Sequence, residues 1–69
     1  MRPADRAMEY ARSHPQQVRV CWLDRKTTMH PAAEAVALCS DRGVSGRIVG
    51  TVAYDKALED MLNGLLDDE

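Results

Sequence analysis

Residues 46–54, GRIVGTVAY, set four β-branched side chains, Ile48, Val49, Thr51 and Val52, around and between two glycines. A helix across this run would carry Gly46 and Gly50 internally, each costing about 1 kcal/mol relative to alanine. It would also crowd the branched Cβ atoms against the preceding turn. An extended strand accommodates both features. The period-two reading places Ile48, Gly50, Val52 and Tyr54 on one face and Arg47, Val49, Thr51 and Ala53 on the other. Gly50 marks a bulge or a close backbone approach.

The neighbouring segments are read against that strand. Pro3 suits a first helical turn, and Ala4, Ala7, Met8 and Ala11 recur at helical spacing until Ser13-His14-Pro15 stops the helix. Val18, Val20 and Trp22 alternate with Arg19, Cys21 and Leu23, a strand pattern with Trp22 on the core face. Asp24-Arg25-Lys26 is a polar turn, and Thr27-Thr28-Met29 a short return strand. Residues 31–42 form an alanine-rich helix that Gly43 is expected to end with a positive φ. Asp55 is an N-cap, and Leu58, Met61, Leu62, Leu65 and Leu66 make one apolar helical stripe. The expectation is an α+β fold, a single small domain over residues 1–69. Its order is α-β-(β)-α-β-α, with a two- or three-stranded sheet covered by helices. The strands joined by the middle helix are expected to be parallel neighbours.

Composition limits the core. The chain has 69 residues, no Phe, one Trp and two Tyr, so much of its apolar content is alanine. Each buried CH₂ contributes only about 0.8 kcal/mol, and a homodimer would supply missing buried area. No apolar run reaches membrane-spanning length, and the first residues carry charge throughout. Cys21 and Cys39 make no disulfide framework. A reducing cytoplasm, two buried thiols and no membrane association are therefore expected. Charge is uneven: residues 1–47 hold eight Lys and Arg against five Asp and Glu, whereas residues 48–69 hold one lysine against six acids.

Known chemistries find little footing. His14, Cys21, His30 and Cys39 fit no metal-ligand spacing, so no metal and no cofactor are expected. The glycines of residues 43–50 lack the lysine and strand-to-helix context of a phosphate loop. No catalytic residue is assigned, and the chain reads as a non-enzyme. Two features suit binding instead. Arg19, Arg25, Lys26 and Arg47 form a basic patch for a partner, and Leu62, Leu65 and Leu66 form an interface along the last helix.

Two functional expectations follow. The first is a small protein-binding module that regulates or inhibits a partner protein by occluding its surface. Short cofactor-free chains of this size are common among phage and mobile-element accessory proteins, an analogy of size alone. The second is DNA binding. Leu38, Gly43, Val44, Ser45 and Val49 sit where a helix-turn-helix unit places, in order, a core apolar residue, the turn glycine, an apolar turn residue, the second-helix cap and its core anchor. Over residues 38–54 the chain thus resembles a helix-turn-helix transcriptional regulator. Because Arg47 is the one basic residue there that would reach a phosphate, and the flank beyond is acidic, nucleic acid ranks behind protein as a partner.

Overall fold

Val18 and Val20 are fully buried while Arg19 between them is exposed, and this alternation orients the sheet on which the fold is built. The computed structural model describes residues 2–67. Its elements are α1 (Pro3–Ser13), β1 (Gln17–Trp22), β2 (Thr27–Pro31), α2 (Ala32–Ser40), α3 (Arg42–Ser45), β3 (Ile48–Ala53) and α4 (Lys56–Asp67). This is the expected α+β order, with the return strand present and one extra helical turn, α3.

The sheet order is β2-β1-β3, and β1 is antiparallel to both neighbours. The expected parallel adjacency is therefore corrected. The two strands joined by α2 run in the same direction, but β1 lies between them. The reason is the tight hairpin. Arg25 N–H donates to the Trp22 carbonyl (3.0 Å) and Trp22 N–H to the Lys26 carbonyl (2.9 Å), which locks β2 onto one edge of β1. The crossover then has only the other edge to reach. Arg25 takes the left-handed conformation (φ 69°) that the last position of such a three-residue loop requires. Asp24 Oδ1 accepts the Lys26 N–H (3.1 Å) and steadies the turn.

β3 departs from simple alternation. Its register with β1 passes from Cys21↔Gly50 to Trp22↔Ile48, leaving Val49 as the extra residue of a bulge. Ile48 and Thr51, three apart, are consequently both buried, while Val49 and Val52 are exposed. This corrects the face assignment drawn from period two. Gly50 adjoins the bulge but is no site of close approach, since its φ is not positive and a Cβ there would meet nothing within 4 Å. Nor does Gly43 have a positive φ. Asp41 ends α2 by turning extended (φ −85°, ψ 111°), and its carboxylate then caps α3 by accepting the Gly43 N–H (2.9 Å).

The helices cover one face of the sheet. α2 lies on β1 and β2, α4 lies on β3, and α1 rests on α2 and α4. Leu58, Leu62, Val18, Val20 and Val36 are the largest fully buried side chains. Ala7, Ala11, Ala32 and Ala35 let the helix backbones approach closely around them. Trp22 is half-buried and packs at the margin of this cluster, not at its centre. Thr51, 3% exposed, is the buried polar residue of the core. Its N–H and its hydroxyl both donate to Asn63 Oδ1, at 3.2 and 2.8 Å.

Asp55 joins the two ends of the chain. One carboxylate oxygen caps α4 by accepting the Ala57 and Leu58 N–H groups (2.9 and 3.4 Å), and the other accepts the Tyr10 hydroxyl of α1. The Tyr10 bond, with the two amides and the nearby charge of His14, holds the Asp55 carboxyl below its ordinary range. The same bond pushes the Tyr10 hydroxyl up. The signs fix two pH limits. Stability from the lowered Asp55 is present above the unfolded carboxylate range and is lost as pH falls through the folded value. Stability from the raised Tyr10 is present below the unfolded phenol range and is lost as pH rises through the folded value. The gap in urea midpoint between wild type and Tyr10→Phe is therefore expected to be widest near neutrality and to close at both extremes. A gap that stays constant across pH would contradict this tie.

Candidate functional site

Because all the helices pack on one side, the opposite face of the sheet is open. Arg19 points out of the middle of β1, with Met29 of β2 and Val52 of β3 as its direct cross-strand partners. Cys21 lies in the next row, between Thr27 and Gly50. Among the described residues, the large hydrophobics that remain exposed are Leu23 (64%), Met29 (47%), Val49 (66%), Val52 (50%) and Tyr54 (83%). Met29, Val49, Val52 and Tyr54 belong to this face, and Leu23 to the hairpin at its end. Arg19, Met29, Val52, Ala53 and Tyr54 line a depression of ≈ 160 Å³. An apolar surface gathered in this way around one cation is a characteristic of contact sites.

The basic residues border it. Leu23 N–H donates to the Arg47 carbonyl (2.8 Å), holding the hairpin against the segment before β3. Arg25, Lys26 and Arg47 are thereby brought to one end of the molecule, and all are exposed. Arg19 is exposed on the face itself, roughly 10 Å along β1 at strand rise. Among the described residues the ion pairs are His30–Glu34 and Lys56–Asp60, and none of their carboxylates lies within 4 Å of these four cations.

The expected stripe divides differently. Leu62 has no exposed surface and belongs to the core, so it cannot serve as an interface residue. Leu65 and Leu66 are half-buried. They line an open cleft of ≈ 870 Å³ with Cys39, Arg2 and Arg42, between the start of α1 and the end of α4. Cys39 is buried and its thiol is pushed up to about 11 by that burial, which makes it a poor nucleophile. Cys21, expected to be buried, is only half-buried because β1 turns it toward the open face. Both cysteines are free.

Sequence reasoning located the cations but missed Met29, Val49, Val52 and Tyr54 as parts of one surface. The available signal was Gly50 as a bulge marker within a strand, beside which Val49 and Val52 are both exposed. The helix-turn-helix reading loses its second helix, since residues 48–53 are strand β3. Among the described residues no three His, Cys, Asp or Glu side chains converge, and no helix is long and apolar enough to cross a membrane. No protein-family model matches the chain, and no curated protein or solved structure matches it either.

Proposed function

We propose that this chain is a protein-binding module that regulates or inhibits a partner by docking its open sheet face and occluding the surface beneath. The observation that carries this reading is the gathering of Met29, Val52 and Tyr54 around Arg19 on the sheet face no helix covers, with Val49 exposed at the bulge further along β3. Exposing these side chains is unfavourable by roughly 25 cal/mol per Å² of apolar area, and a partner removes that area from water. Arg19, with Arg25, Lys26 and Arg47 at the rim, suits a partner whose apolar patch is bordered by carboxylates. Binding, not turnover, is the role this surface supports.

The test separates the face from the rest of the molecule. Val52→Asp puts a carboxylate into the patch centre, and Arg25→Glu with Lys26→Glu reverses the rim. Proteins retained by the immobilised wild type are expected to be lost with Val52→Asp. With the rim variant they should associate more slowly and with a flatter salt dependence. Retention equal to wild type in both variants would overturn the proposal. Sedimentation equilibrium of the same proteins tests whether a second copy is the occupant. Self-association abolished by Val52→Asp places the copy on the sheet face, whereas loss only in Leu66→Ala places it on the cleft.

A further inference from the structure

On the opposite, helix-facing side of the edge strand β2, four side chains are linked by two hydrogen bonds and one ion-pair contact. Trp22 Nε1 lies 2.7 Å from Thr28 Oγ1, Thr28 Oγ1 lies 2.6 Å from His30 Nε2, and His30 Nδ1 lies 3.3 Å from Glu34 Oε1. The backbone explains the convergence. Thr28 and His30 are two apart on a strand and share a side. Glu34, in the first turn of α2, is four residues beyond His30. Trp22 reaches across from β1.

The direction of each bond follows from donor chemistry. An indole N–H only donates, so the Thr28 oxygen accepts from Trp22 and has its own proton free for another partner. The Glu34 carboxylate can only accept, so it favours the tautomer with the proton on Nδ1, and in that neutral ring Nε2 accepts the Thr28 hydroxyl. A hydroxyl, an imidazole oriented to accept its proton and a carboxylate fixing the imidazole are the three parts of an activated oxygen nucleophile. Thr28 is exposed and reachable, while the His30 side chain is only 19% exposed and is held in place.

We propose that Thr28 is a reactive hydroxyl that accepts an acyl group from activated esters, with His30 as its base and Glu34 as the positioning residue. Thr28 Oγ1 attacks the carbonyl carbon, forming the Oγ1–C bond, as its proton passes to His30 Nε2. The C–O bond to the leaving group then breaks, and the imidazolium returns the proton to the departing oxygen. The products are a threonine ester and a neutral alcohol or phenol, with His30 restored. This site is separate from the open sheet face and goes beyond the binding function.

The probe is p-nitrophenyl acetate with the full chain, read by nitrophenolate release and by peptide mapping of the acetyl group. Acetylation is expected at Thr28. It should be absent in Thr28→Val and retained in Thr28→Ser, and in His30→Gln it should be slower by on the order of 10²-fold. Glu34→Gln should slow labelling of Thr28 while leaving labelling of Cys21 by the same reagent unchanged, which a merely structural role for Glu34 would not produce. Acetyl groups confined to Cys21 or the lysines, or Thr28 labelling that proceeds equally in His30→Gln, would overturn the proposal. Because Thr28→Ser and His30→Gln alter exposed or margin side chains, the test stands even if Thr28→Val fails to fold.

Discussion

Leu62→Ala is expected to leave much of the protein unfolded at 25 °C, whereas Leu66→Ala keeps the wild-type circular dichroism. Leu62 and Leu58 are the two largest side chains without any exposed surface, and the rest of the buried cluster is mostly valine and alanine. Truncating a buried leucine costs roughly 2–5 kcal/mol, partly because the surroundings collapse only partway into the cavity. A 69-residue domain has a total stability of roughly 3–10 kcal/mol at the usual per-residue yield. The loss is therefore comparable with the whole. Leu66 is half-buried and loses less. Urea unfolding of the two variants checks this, and a Leu62→Ala midpoint close to that of wild type would show that α4 does not anchor the core.

Asn63→Ala should produce the second large effect. One side-chain oxygen of Asn63 accepts both the N–H and the hydroxyl of Thr51, and Thr51 has almost no access to water. Removing that oxygen strands two donors, each worth about 1–3 kcal/mol when left unpaired in the interior. The expected loss is about 2–3 kcal/mol in urea unfolding. Thr51→Val combined with Asn63→Leu should recover part of it, because the side-chain donor and its acceptor then disappear together. A double variant no more stable than Asn63→Ala alone would mean that Asn63 acts through packing and not through these bonds.

The order of elements was legible because each has a local cause. Branched residues lie in two short runs, leucines and alanines fall at helical spacing, and Pro15, Asp24 and Asp55 punctuate the boundaries. What was not legible depended on partners distant in sequence. The bulge at Val49 inverts part of β3, and it exists only in the pairing with Cys21 and Trp22. The ending of α2 passed from Gly43 to Asp41 because a carboxylate at that point caps the next turn as well. The cations of the candidate site were visible in composition. The apolar face they border was not, since it follows from three helices choosing the same side of the sheet. The chain of contacts from Trp22 to Glu34 crosses a hairpin and a strand-to-helix junction, so no single periodicity contains it.

α1 rests chiefly on α2 and α4 and forms an outer layer of the domain. Ala7 and Ala11 are its buried residues, Met8 and Tyr10 pack half-buried beside them, and one hydroxyl ties it to Asp55. Were that layer to lift, the sheet would keep its hydrogen-bond ladder. A helix held by small side chains and one hydroxyl is the kind of layer that opens below global unfolding, and its amides are expected to exchange hydrogen faster than those of β1.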